Sequence, residues 1–310
     1  MKVIREKENF DYDKNSVITV GTFDGVHLGH KKIIEKLNDI KRLRKLRNVV
    51  VTFEPHPQIV LKNRTNNIKV LTTINEKLRL LENLGIDFVY IINFTQEFAN
   101  KSAEEFYKTY LIDKIGMSDL VLGYDHKFGK GRQGNIDTLR KLSEKYNFQF
   151  HRIEEFRIYK EFINSTAIRN LIKDSDVKKA SLLLGRKYSI EGKVTTGDKR
   201  GKQLGYPTAN LELLSSDKLL PKTGVYLVSI EIKDTLYYGM MNIGHRPTIS
   251  ENNKVVLEVN IFDFDKDIYN NIIRVNFLER IRDERKFNTL EELKKQLLAD
   301  KEYSLNRINE

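Results

Sequence analysis

The chain contains no cysteine. A disulfide framework, a thiolate metal site and a cysteine nucleophile are therefore excluded. The opening stretch MKVIREKENFDYDKN has no apolar run, so neither a signal peptide nor a membrane span is expected, and a cytoplasmic setting is the default. No internal repeat or low-complexity tract is evident. Positive charge is plentiful: 54 Lys and Arg against 43 Asp and Glu give a formal charge of +11. Such a surplus suits a nucleic-acid binder, and equally a protein that collects polyanionic small molecules. The basic residues are scattered, apart from KRLRKLR at 41–47. That run reads first as a solvated helix face and second as a contact surface.

A length of 310 residues allows two domains, because single cores stop growing at roughly 250–300 residues. The first half alternates. Strand patterns at 16–20, 48–53, 86–92 and 119–123 are separated by helical spacing at 29–46, 75–84, 102–115 and 136–146. Ile33, Ile34, Leu37 and Ile40 mark the apolar side of the first helix. This alternation predicts a mostly parallel sheet with helices on its faces, and ligands at the carboxyl ends of its strands. After about residue 185 the texture changes to short β-rich segments separated by turns. An antiparallel barrel or sandwich is expected there. One last helix is predicted at 289–301, opened by Thr289 with Glu292 three residues on. Residues 167–185 read as one or two short helices. The boundary is expected near 185, giving domains 1–184 and 185–310.

The strand at 16–20 runs into Gly21-Thr22-Phe23-Asp24-Gly25-Val26-His27-Leu28-Gly29-His30. This turn is neither a Walker loop nor GxGxxG. Its glycines allow close backbone approach, and the helix that follows offers free N–H groups to a phosphate. His27 and His30, three apart, fall on one face and can hold phosphate oxygens. His56, in the stiff EPHP loop after the next strand, is a further candidate contact. Asp125 and Arg132, in the Gly-rich basic loop GYDHKFGKGRQGN, are placed over a triphosphate. Ser165, Thr166 and Arg169 mark a helix start suited to phosphate. The plain alternatives are a turn with capping histidines, an idle histidine, a solvated loop and a capped surface helix. Gathered at one sheet edge, these signals reinforce one another.

In the β-rich half, Gly197, Lys202 and Gly205 belong to a loop able to cover phosphates. Thr208 and Asn210 in PTAN are two apart, so on extended chain they face the same way. Both offer oxygen to a hard cation such as Mg²⁺. In VVLEVNIF, alternation puts Val256, Glu258 and Asn260 on one face and Leu257, Val259 and Ile261 on the other. Whether Glu258 meets solvent or a polar barrel mouth is open at this level.

HxGH at a strand–helix turn resembles the nucleotidyltransferase superfamily, whose sheet is Rossmann-like. The fuller set of TFEPHP, GYDHKFGKGRQG, NSTAIR and PTAN resembles the bifunctional bacterial riboflavin kinase/FAD synthetase family over nearly the whole chain. That resemblance implies a parallel-sheet FAD synthetase domain followed by an antiparallel β-barrel riboflavin kinase domain ending in a helix. It implies that riboflavin is phosphorylated to FMN and FMN adenylylated to FAD, with ATP and Mg²⁺. His27 and His30 would hold ATP phosphates, with Gly21, Phe23, Asp24, Gly25 and Gly29 shaping the pocket and Ser165, Thr166 and Arg169 completing it. Thr208 and Asn210 would bind Mg²⁺-ATP, Glu258 would be the base for the ribityl hydroxyl, and Arg282 would lie near the flavin. Asn260 stands where some relatives carry histidine, and Thr196 replaces a common histidine. Small-molecule flavins and ATP are the expected partners, with no membrane and no nucleic acid. A monomer with at most weak self-association is expected. Two other readings remain: a nucleotidyltransferase with another phosphorylated acceptor, and a non-catalytic nucleic-acid module.

Overall fold

The computed structural model describes residues 1–61, 68–124, 135–155, 157–158, 161–196, 205–233, 235–245 and 255–309. The chain divides into two compact units, Met1–Ser165 and Thr166–Glu310.

Six strands form the first unit's sheet: β1 (Lys2–Arg5), β2 (Ser16–Val20), β3 (Arg47–Glu54), β4 (Phe88–Asn93), β5 (Met117–Leu122) and β6 (Gln149–Arg152). Their order is β1-β4-β3-β2-β5-β6, and every pairing is parallel. The connections carry α1 (Leu28–Arg44), α2 (Pro57–Leu61), α3 (Ile74–Asn83), α4 (Gln96–Ala99), α5 (Ala103–Phe106) and α6 (Ile136–Tyr146). Residues in β3 alternate between two cores. Val50 joins Ile34, Leu37 and Ile40 of α1 on one face, while Val49, Val51 and Phe53 join Phe98, Phe106 and Leu139 on the other. A sheet covered on both faces explains why these strands read as continuous apolar runs. A two-stranded hairpin, β7 (Arg157–Ile158) with β8 (Glu161–Phe162), follows the sheet.

Several boundaries differ from the sequence reading. The helix expected at 102–115 is short α5 running into a wider π-helical turn, Tyr107–Asp113. α1 stops at Arg44 because Lys45 takes a left-handed conformation, φ 53°. β1 and β6 are four-residue edge strands, KVIR and QFHR, too short and too mixed to give a periodic signal. The basic run is not a bare patch: Lys41 pairs with Asp87, Arg42 with Asp39, and Arg44 with buried Asp119.

The second unit opens with α7 (Ser165–Lys173), whose first residue closes the other unit, and α8 (Val177–Leu184). Six antiparallel strands then close into a barrel: β9 (Tyr188–Thr195), β10 (Ala209–Leu213), β11 (Gly224–Ile232), β12 (Thr235–His245), β13 (Val255–Ile261) and β14 (Ile272–Arg282), ordered β10-β13-β12-β11-β14-β9. Closure leaves no free sheet edge. The last helix, α9 (Leu290–Asn309), runs eight residues beyond its predicted end. Its start is capped as expected by Thr289, whose hydroxyl accepts from Glu292 N–H at 3.1 Å; the Glu292 carboxylate reaches back to Asn288 N–H at 3.0 Å. Ile308 packs with Val225, Met240 and Phe262 on the barrel. The expected architecture, a parallel-sheet unit followed by a closed antiparallel barrel with a terminal helix, is the one observed.

Candidate active sites

The chain leaves central β2 for β3 on one side and later reaches β5 on the other. The carboxyl end of β2 is thus the topological switch point, where such sheets take their ligands. The Gly21–His30 turn begins there. Phe23 and Val26 both have positive φ, 46° and 37°, which is rare for any residue with a side chain and rarer for a β-branched one. Each such residue costs on the order of 1–3 kcal/mol and persists only where surrounding contacts over-determine it. Those contacts are present. The buried Asp24 carboxylate accepts from Leu71 N–H at 2.9 Å and Thr72 N–H at 3.0 Å. Gly25 N–H donates to Thr72 Oγ1 at 3.0 Å. Ser165 Oγ donates to the Asp24 carbonyl at 2.9 Å. Phe23 and Val26 are themselves buried in the core. Asp24 therefore braces the turn from beneath.

His27 caps α1. Its Nδ1 accepts from His30 N–H at 3.3 Å. A ring nitrogen that accepts is unprotonated, so the proton of the neutral imidazole lies on Nε2. The two histidine rings stack at 3.6 Å, 16° apart, and Phe23 packs against His30 at 5.0 Å. A Cβ on Gly29 would come within 3.2 Å of the His27 ring, so glycine there lets the imidazole lie over the helix start. Gly21 has the same relation to Phe23, at 3.1 Å. The result is a helix N-terminus with two stacked imidazoles at the ligand edge of the sheet. His56 lies past the end of β3, where its Nδ1 accepts from Gln58 N–H at 3.2 Å.

Two residues that sequence reasoning passed over sit under this turn. Thr52 Oγ1 donates to the Thr22 carbonyl at 3.2 Å and accepts from Lys77 Nζ at 3.3 Å. Lys77, on α3, is buried, and burial pushes its ammonium down to about 8, with the Asp24 and Glu54 carboxylates pulling the other way. A helical lysine ordinarily reads as surface, so only the Thr73–Glu76 capping box ahead of it gave any local signal.

On the barrel, strand register gathers the second set. Asn210 of β10 lies opposite Thr195 of β9 and Glu258 of β13, and Glu258 lies opposite Asn242 of β12. Directly opposed residues share a face, with Cβ atoms ~4.5–5.5 Å apart. Leu257, Val259 and Ile261 are buried in the interior, so Glu258 stands on the outward face in a polar row Thr195–Asn210–Glu258–Asn242. Asn260 Nδ2 donates to the Pro207 carbonyl at 2.8 Å, anchoring the PTAN segment to β13. Gly205, before it, takes φ 79°, and Thr208 is exposed. Asn242 joins the row only through cross-strand register.

Arg282 is heavily committed. Its Nε donates to both Asp300 carboxylate oxygens at 3.0 and 2.9 Å, and Asp300, 2% exposed, also accepts from Gln296 at 2.6 Å. The pair ties β14 to α9. Asp300→Ala leaves the guanidinium without its anion and is expected to cost roughly 3 kcal/mol, read as a lower denaturant midpoint for the barrel unit. Arg169 of α7 is buried and Thr166 is exposed. Asp125, Arg132, Gly197 and Lys202 lie outside the described residues, as do His126, Lys127, Lys130, Thr248, Arg246 and Pro247.

Residues 9–167 match the family model of FAD synthetase, and residues 184–308 that of riboflavin kinase. The chain is 40% identical to a bifunctional riboflavin kinase/FMN adenylyltransferase of Buchnera aphidicola from Acyrthosiphon pisum, over 97% of this chain and 96% of that one. It belongs to the bifunctional riboflavin kinase/FMN adenylyltransferase family. A Bacillus subtilis member is 37% identical, over 94% of this chain and 92% of the other. Among solved structures, a Streptococcus pneumoniae protein described as a macrolide-efflux protein superposes with a TM-score of 0.90 at 34% identity, covering 99% of both chains. In the present riboflavin kinase/FMN adenylyltransferase family member, no helix among the described residues is long and apolar enough to cross a membrane. The two family models fall on the two sites: the His27–His30 turn within one, the Glu258 row within the other.

Proposed function

We propose that this chain runs the family's two reactions at the two sites described, FMN adenylylation within 1–184 and riboflavin phosphorylation within 185–310. The observation that carries this division is the pairing, on one chain, of a histidine-capped helix at a sheet switch point with a barrel row that sets Glu258 beside Asn210. The first arrangement offers donors to a triphosphate. The second offers a carboxylate next to oxygen ligands.

In the kinase site, Glu258 orients the primary ribityl hydroxyl and takes its proton as that oxygen bonds to the γ-phosphorus of ATP. ADP leaves and FMN is formed. Thr208 and Asn210 would hold Mg²⁺-ATP through side-chain oxygens that face the cation, and Asn242 flanks Glu258 on its other side. In the adenylyltransferase site, a phosphate oxygen of FMN attacks the α-phosphorus of ATP and pyrophosphate leaves. His27 and His30, with the first N–H groups of α1, stabilise charge on the transferring phosphates. Ser165 steadies the turn through the Asp24 carbonyl.

Mg²⁺ fits the oxygen donors Thr208 and Asn210. Among the described residues there is no group of three or more His, Cys, Asp or Glu that could hold a metal, so the ion would be shared with ATP phosphates, as this hard, water-retaining cation prefers. When bound it screens phosphate charge during transfer. Purified protein given riboflavin, ATP and Mg²⁺ is expected to form FMN and then FAD, resolved by chromatography over time, and EDTA is expected to stop both steps. Absence of any flavin nucleotide at saturating ATP and Mg²⁺ overturns the assignment.

A further inference from the structure

Lys77 is 5% exposed, and its ammonium can donate three hydrogen bonds. Among the described residues it makes one, at 3.3 Å to Thr52 Oγ1. The carboxylates that face it are Asp24 from the turn and Glu54 from the end of β3. Both are engaged elsewhere: Asp24 by the Leu71 and Thr72 N–H groups, Glu54 by Arg5 of β1 at 2.9 Å. Glu76, its neighbour on α3, closes the helix cap on Thr73 N–H at 2.8 Å. Among the described residues, Lys77 is thus a buried cation without a close ion pair. Burying such a charge is unfavourable, and a methionine would fill the same space at no electrostatic cost.

Its single bond leads to the site. Lys77 Nζ donates to Thr52 Oγ1, and Thr52 Oγ1 donates to the Thr22 carbonyl at 3.2 Å. Thr22 precedes Phe23, the first of the turn's two strained residues. On the other side, the Lys77 charge acts on Asp24, the brace of the same turn. Arrival of ATP and FMN brings several negative charges to the end of α1, and a cation beneath it offsets part of them in a medium that screens poorly.

Building on the adenylyltransferase reading, we propose that Lys77 is a positioning residue for adenylyl transfer, its buried ammonium holding the strained Gly21–His30 turn in phosphate-accepting shape through Thr52 and Asp24. The charged form is the supporting one. Because burial has drawn the group down to about 8, FMN adenylylation falls as pH rises through that value, when Lys77 loses its proton.

The test is steady-state FMN adenylylation by the full chain, wild type, Lys77→Arg and Lys77→Met, at pH values on both sides of 8. Lys77→Met is expected to lower kcat about ten- to a hundredfold, leave KM for FMN within a few-fold and lose the alkaline limb. Lys77→Arg is expected to recover most of kcat and move that limb upward, because guanidinium stays charged. Circular dichroism and melting temperature matched to wild type report that the first unit is folded, and riboflavin phosphorylation by the same preparations reports on the second. A wild-type rate that does not fall through pH 8 overturns the proposal, as does a Lys77→Met enzyme with the wild-type kcat. Equal impairment of both variants with an unchanged pH profile overturns it too, leaving a packing role. Wild-type protein that makes no FAD from FMN overturns the site assignment and this inference with it.

Discussion

Glu258→Gln is expected to lower riboflavin phosphorylation by about 10²–10⁴-fold, while FAD formation from supplied FMN survives. The substitution preserves size and removes the charge. An amide can still hold the ribityl hydroxyl but cannot accept its proton, so the loss belongs to the transition state and riboflavin affinity should change less than turnover. Register makes the position specific: Glu258 has Asn210 on one side and Asn242 on the other, and the buried Leu257 and Val259 beside it fix which way the strand faces. The second reaction is spared because the FMN phosphate is already ionised and its site belongs to the other unit. The measurement is paired kinetics on riboflavin and on FMN, with circular dichroism and melting temperature matched to wild type. Joint collapse of both reactions in a folded variant would show that the sites depend on each other, and an unchanged kinase rate would remove Glu258 from the chemistry.

His30→Ala should have the opposite selectivity. His30 stacks on His27 at 3.6 Å and its own N–H is capped by the His27 ring. Alanine removes one imidazole donor and also the surface that holds the other. Loss of one preorganised donor costs roughly 2.7–4 kcal/mol, about 10²–10³ in rate, so FMN adenylylation is expected to fall by at least that factor. Riboflavin phosphorylation should stay within a few-fold of wild type. A folded variant that adenylylates FMN at the normal rate would take His30 out of the site.

Much of the fold was readable from local pattern. Helices α1, α3 and α6 and strands β2, β3 and β4 fall within a few residues of their predicted limits, because apolar period follows backbone geometry and needs only near neighbours. The elements that escaped, among them β1, β6, α2, α4, the β7–β8 hairpin and the π-helical turn, are short pieces or local distortions whose existence depends on what they pack against.

The sequence by itself determined that a glycine- and histidine-rich turn follows the first buried strand of an alternating domain, that a β-rich domain follows it, and that no thiol chemistry is open to the chain. Only the tertiary structure decided the environment of the charged groups. It set Glu258 in a row with Asn210 and Asn242, sent the Asp24 carboxylate to backbone 47 residues away, committed Arg282 to Asp300, paired Lys41 and Arg44 of the basic run with distant aspartates and buried Lys77 under the turn. The reason is physical. A residue's place in a helix or strand is governed by its immediate neighbours along the chain, whereas burial, charge pairing and register are set by residues that meet only once the chain has folded.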